Sequence, residues 1–156
     1  MMFENSSLKI IFKLPNEYSF HGRIDETFPI ELNEKISQDL VHFNFKDVTY
    51  MNSMGIMKFI SFLNSLPKAA SIYYEHVPSI VVTQMGLIKG IISQKFKMKS
   101  FYVPYLDKES QEQLMILINI DEVLNHSLPY KKNPETGSLM EPDVQVERFL
   151  SFLNHI

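Results

Sequence analysis

Cysteine is absent from this chain of 156 residues. That excludes disulfides, cysteine-ligated zinc and a thiol nucleophile, and it fits a reducing compartment. Concentrated positive charge is missing too: 15 Lys and Arg stand against 18 Asp and Glu, for a net charge of −3, with no basic block and no Arg cluster. Neutralising a phosphate backbone needs such clustering, so nucleic acid is not expected as the main partner. No apolar run reaches the length of a membrane span. Met1 to Ser7 lacks a basic stretch followed by an apolar core, so no secretory leader is expected and the chain reads as cytoplasmic. There is no Gly-x-Ser-x-Gly elbow and no phosphate-binding loop, so neither catalysis nor a cofactor is expected. His21, His42, His76, His126 and His155 show no i, i+4 ligand spacing and read as surface or boundary residues rather than metal ligands. Internal repeats and low-complexity segments are lacking.

What remains is ordinary for a globular protein: 45% apolar and 21% charged residues, enough for one domain with a full core and an appended subdomain. Leu8 to Leu14 and Tyr18 to Ile24 are β-rich and flank the turn Pro15-Asn16-Glu17, which predicts a hairpin. Phe28 to Leu32 reads as a short third strand and Leu40 to Phe45 as a central one. Ile56, Phe59, Ile60 and Leu63 follow helical spacing up to Pro67. Ser71 to Tyr74 is a further strand, and Pro78 opens a helix that carries Ile80 to Met85 and stops at Gly86. Strand, helix, strand, helix in that order implies an α/β fold with a partly parallel sheet. Phe101 to Leu106 and Leu114 to Ile120 predict a second hairpin. His126 to Gly137 is turn-rich, and Asp143 caps a last amphipathic helix bearing Val146, Phe149, Leu150 and Leu153.

Lys46 to Ile56 (KDVTYMNSMGI) is the most informative stretch. It reads as a strand end, a polar corner and a helix start, with Asn52 or Ser53 as the cap. Backbone N–H groups and the helix dipole there favour negative charge. Ser53 is thus either a plain cap or a hydroxyl placed to carry a phosphate. Met51, Met54 and Met57 cluster at the same corner, as packing or as a soft contact patch. Asp25 stabilises its own turn or serves the corner as an acidic group.

This stretch resembles the signature of STAS domains, the fold of anti-sigma factor antagonists: a strand, an apolar pair, Asp-Ser, a small residue, Gly and an aliphatic residue. Gly22-Arg23-Ile24-Asp25 is similar to the family's corner after the second strand. Ser71 to Val77 and Pro78 to Leu87 resemble its next strand and helix. The resemblance implies a STAS-like domain over residues 8–98, a mixed sheet flanked by helices. The family's first helix is missing or replaced by a strand between Asp25 and Leu40. A β-hairpin and helix extension packs on it over residues 99–156. It also implies a non-catalytic cytoplasmic signalling module that acts by protein–protein binding. In antagonist members the serine after the motif aspartate is phosphorylated by an anti-sigma kinase. Ser53 matches that serine, Asp25 matches the neighbouring acidic residue, and Asn52, Met54 and Gly55 complete the partner-binding corner. Asn52 replaces the motif aspartate, keeping its shape and losing its charge, as in a divergent bacterial subgroup.

The tail resembles two zinc-ribbon knuckles in outline, at Pro104 to Ser110 and Asn133 to Gly137. Asp107, Ser110, Asn133 and Thr136 stand where that subgroup carries Cys-x-x-Cys pairs. None is a thiolate, so a ribbon-shaped hairpin without metal is expected. The alternative functions are a phosphorylation-independent adaptor or dimerisation module, homodimeric through the last helix, and a small-ligand binder with a pocket under the corner.

Overall fold

The computed structural model describes residues 2–156. β1 (Phe3–Glu4), β2 (Leu8–Lys13), β3 (Glu17–Ile24), β4 (Leu40–Met51), β5 (Ser71–Glu75) and β6 (Phe96–Met98) form one sheet in chain order. The first three strands pair antiparallel, and β3 to β6 pair parallel. Parallel neighbours need crossovers, and α1 (Ser53–Asn64) and α2 (Ser79–Leu87) supply two of them. Right-handed crossovers along one direction put both helices on the same face.

Period-two alternation builds that face. Ile10, Phe20, Val41, Phe43, Phe45, Ile72 and Tyr74 are fully buried. Phe43 is the hub, with the rings of Tyr18, Phe20, Phe45, Phe59, Phe62 and Tyr74 centred within 6.4 Å. Burying each such side chain stabilises the fold by roughly 1.5–3 kcal/mol. The opposite face is polar. There the His42 ring stacks on Tyr73 at 5.7 Å, and Glu75 Oε1 lies 2.6 Å from His42 Nδ1 and 2.9 Å from Lys99 Nζ.

A second sheet follows: β7 (Ser100–Asp107), β8 (Gln113–Asn119), β9 (Lys131–Lys132) and β10 (Leu139–Pro142), ordered β8-β7-β10-β9 and antiparallel throughout. It is stitched to the first through Val77, whose N–H donates to Ser100 O at 3.2 Å and whose carbonyl accepts from Tyr102 N at 2.8 Å. The chain ends in α3 (Val146–Phe149) and a 3-10 helix, Leu150–His155. Phe149 and Phe152 pack on Phe101 at 6.0 and 5.5 Å.

The α/β class, the mixed sheet with helices and the β7–β8 hairpin match the sequence reading. Several local expectations are corrected. Phe28 to Leu32 is not a strand. The N–H of Phe28 turns back to Asp25 O, its ring inserts 5.4 Å from those of Phe59 and Phe62, and Ile30–Lys35 forms a 3-10 helix. α1 runs to Asn64 with Ser65 as its C-cap, two residues before the Pro67 expected to stop it, and the Ser65 hydroxyl donates to Phe62 O at 2.7 Å. Gly86 lies inside α2 instead of ending it, and its missing side chain admits Ser151, whose Oγ would stand 2.7 Å from an added Cβ. The extension is a four-stranded sheet rather than a hairpin alone, since the turn-rich segment contains β9 and returns through β10. Asp143 caps no helix. Its N–H still donates to Pro104 O, carrying the β7–β10 ladder one residue further, so α3 starts later and covers one turn.

Candidate functional site

The two sequence corners expected to form one site meet in space. Asn52 is the N-cap of α1: its backbone is extended and its Oδ1 accepts from Gly55 N at 2.7 Å. The N–H of Asn52 donates to Ile24 O at 3.1 Å, and its Nδ2 donates to Glu26 Oε2 at 3.1 Å. The end of β3 and the start of α1 are therefore joined through one asparagine. Gly55 is buried beneath it, and an added Cβ would overlap the Ile24 carbonyl oxygen and come within 2.6 Å of Asp25 N. The close approach that Gly55 permits is thus to the chain's own backbone.

Asp25 is only 5% exposed. Its Oδ1 accepts from the Thr27 hydroxyl at 2.6 Å and Thr27 N at 2.9 Å, and Oδ2 lies 3.6 Å from the Arg23 guanidinium. The Thr27 hydroxyl first, then that of Ser7, hold its carboxyl below the ordinary aspartate value, more than burial raises it. Asp25 shapes the corner from below instead of presenting its charge to solvent.

Ser53 is exposed at the first position of α1, with Met54 and Met57 exposed beside it at 53% and 65%. Met51 is separated from them: it is 1% exposed and fixed by Gln84, which donates Nε2 to its carbonyl at 2.7 Å and accepts its N–H at 3.0 Å. The methionine cluster of the sequence therefore divides into one core residue and two surface residues. In the first turn the amides of Gly55 and Ile56 are both taken by Asn52, which leaves those of Ser53 and Met54 as the amides without an intrahelical partner. An exposed hydroxyl beside two open amides at a helix start can carry or contact an anion. Glu26, Thr27 and Gln84 are parts of this corner that sequence reasoning passed over. Glu26 and Thr27 directly follow Asp25, which is their only signal.

The four knuckle positions of the tail also come together. Asp107 is fully buried at the end of β7. Its Oδ1 accepts from the N–H groups of Glu109 at 2.9 Å and Ser110 at 3.3 Å. Its Oδ2 accepts from Asn133 Nδ2 at 2.9 Å and the Thr136 hydroxyl at 3.2 Å. Asn133 Oδ1 in turn accepts from Glu135 N at 3.0 Å. A carboxylate and an amide thus hold two turns together by hydrogen bonds where thiolates would hold them by metal. The Asn133 amide first, with the two N–H groups and the Thr136 hydroxyl, keeps Asp107 below its usual range against the opposing effect of burial. No set of three or more His, Asp or Glu residues spaced for a metal ion occurs among the described residues, and none of their helices is long and apolar enough to cross a membrane.

Comparison of the chain with protein-family models, with curated proteins and with solved structures gives no match.

Proposed function

We propose that this chain is a non-catalytic STAS-like signalling module that binds a protein partner through the α1 corner, in the manner of an anti-sigma factor antagonist. One observation carries the reading: the Gly22–Asp25 and Asn52–Gly55 stretches build a single corner, and Ser53 stands exposed on it at the helix start. Met54 and Met57 give the corner a polarizable apolar flank suited to a protein surface. Ser53 is the switch. A phosphate there adds about −1.5 to −2 charge next to that flank and opposes docking of an acidic or apolar partner surface, while the open amides of the first turn hold it in place. An anti-sigma factor with serine kinase activity is the partner class this implies, and the setting is cytoplasmic.

A second reading, a phosphorylation-independent contact surface, is favoured by Glu26. Its carboxylate accepts from Asn52 directly beside Ser53 and repels a phosphate placed there. Affinity capture from the native cell with the wild-type chain and with Ser53→Asp, together with mass spectrometry of Ser53, separates the two. Modified Ser53 and a partner retained only by the wild type support the switch. Ser53 unmodified under all growth conditions, with the same partner held equally by both chains, leaves only the contact surface.

A further inference from the structure

The edges of the two sheets are guarded unequally. β1 has two residues and carries Glu4, β6 has three and carries Lys97, and β9 consists of two lysines, Lys131 and Lys132. Short length and charge are the usual means of keeping a sheet edge from pairing with another chain. β8 has neither. It is an edge strand of seven residues, QLMILIN, with no charge and no proline.

The register shows which backbone groups lie free. Pro104 faces Met115, and the Pro104 carbonyl points away from β8 to Asp143 N. Tyr102 faces Leu117 and likewise directs its N–H away, to Val77 O. Met115 and Leu117 are therefore the non-bonded partners of β7, and their N–H and C=O groups point outward. No other strand among the described residues pairs with that edge.

We infer that β8 is a homodimer interface, on which the β8 strand of a second copy docks antiparallel across a two-fold axis at Ile116. The strand is its own complement in that register. Met115 faces Leu117 of the second copy, and each pair exchanges both N–H···O bonds. Leu114 faces Ile118, so apolar meets apolar, while Gln113, whose amide donates to Asp143 Oδ2, and Asn119, whose N–H donates to Glu122 Oε2, lie at the two ends outside the contact. The five central residues, Leu114 to Ile118, carry no charge, so this part of the self-pairing sets no like charges opposite each other. Met115, 49% exposed, supplies apolar area at the centre. The result is a continuous eight-stranded sheet, an isologous contact that closes at two copies. It lies in the tail, apart from the α1 corner, and does not depend on the partner proposed there.

Sedimentation equilibrium of the full chain tests this. The wild type associates to twice the monomer mass. Met115→Pro removes an outward N–H, which no bond to β7 uses. It therefore weakens association roughly tenfold or more with unchanged circular dichroism. The chain has no native cysteine, so Ile116→Cys gives an unambiguous second readout. Directly opposed residues of a non-bonded antiparallel pair lie about 4.5 Å apart at Cα, within disulfide reach. Mild oxidation links Ile116→Cys into a covalent dimer and leaves Leu114→Cys unlinked. This holds even where the proline variant fails to fold. A wild type that stays monomeric at every concentration overturns the inference. So does a dimer that folded Met115→Pro leaves intact, or one that Ile116→Cys fails to link.

Discussion

Gly55 packs directly on the carbonyl of Ile24, and that contact sets the distance between the start of α1 and the end of β3. Any side chain at 55 must push the helix off the strand and stretch the bond from Asn52 N to Ile24 O. Gly55→Ala is expected to destabilise the fold by about 1–3 kcal/mol or more, although alanine is the better helix former, because overpacking a rigid backbone contact outweighs a propensity gain of about 1 kcal/mol. Urea denaturation measures the balance. A stabilised Gly55→Ala would show that the corner has room to open.

Asn52 serves two elements at once, so its variants should separate the roles. Asn52→Ala loses the cap on Gly55 N and the bond to Glu26, and is expected to cost about 0.5–2 kcal/mol. Asn52→Asp keeps the cap and gains favourable charge at the helix start, but sets a second carboxylate against Glu26. The two effects oppose each other, and Asn52→Asp should lie within about 0.5–1 kcal/mol of wild type by thermal or urea unfolding. In the double variant Asn52→Asp with Glu26→Gln the repulsion is gone, and stability should rise above wild type.

Met54 and Met57 divide surface from core. Both project from the buried stripe of α1 formed by Ile56, Phe59, Phe62 and Leu63. Met54→Lys with Met57→Lys is expected to leave stability within about 0.5 kcal/mol per site while abolishing capture of a partner at the α1 corner. Met51→Lys, which buries a charge next to Gln84, should instead prevent folding. Circular dichroism and affinity capture on the same samples distinguish loss of contact from loss of fold.

The parts of the fold legible in the sequence are those whose pattern is local. β2, β3, β7 and β8 alternate around turn residues, and α1 carries its apolar stripe at helical spacing. Asn52 announces a cap by residue type alone. β6 was not legible, because three residues hold no period, and Phe96–Met98 is a strand only through its pairing with β5. Lys46 to Met51 reads as a strand end running into a polar corner, yet the whole of it extends β4 because the end of β3 pairs beside it as far as Met51. Phe28 has strand-like neighbours, but its ring is claimed by Phe59 and Phe62, a contact no local pattern encodes. At the site, residue types located the corner, while the exposure of each side chain depended on packing. Nothing in the spacing reveals that Asp25 is buried or that Gly55 faces Ile24.

Asp107 makes the tail sensitive to acid. Its carboxylate accepts four hydrogen bonds from Glu109, Ser110, Asn133 and Thr136, and no cation lies among these partners. These donors favour the charged form and lower its value in the folded state, with the Asn133 amide first. A carboxyl lowered on folding binds fewer protons in the native than in the unfolded state. Its stabilising effect is therefore complete above the unfolded value of about 4 and is lost as pH falls below it through the folded value. Protonation puts a hydrogen on an oxygen that must accept from Asn133 or Thr136, so the two turns separate. Glu122 and Asp25, also lowered, act in the same direction. Urea midpoints measured from pH 7 down to about pH 2 should fall with acid. Asp107→Asn should begin less stable at neutral pH and fall less steeply, because an amide cannot accept from all four donors at once and does not titrate. Parallel curves for wild type and Asp107→Asn would show that the acid response arises elsewhere.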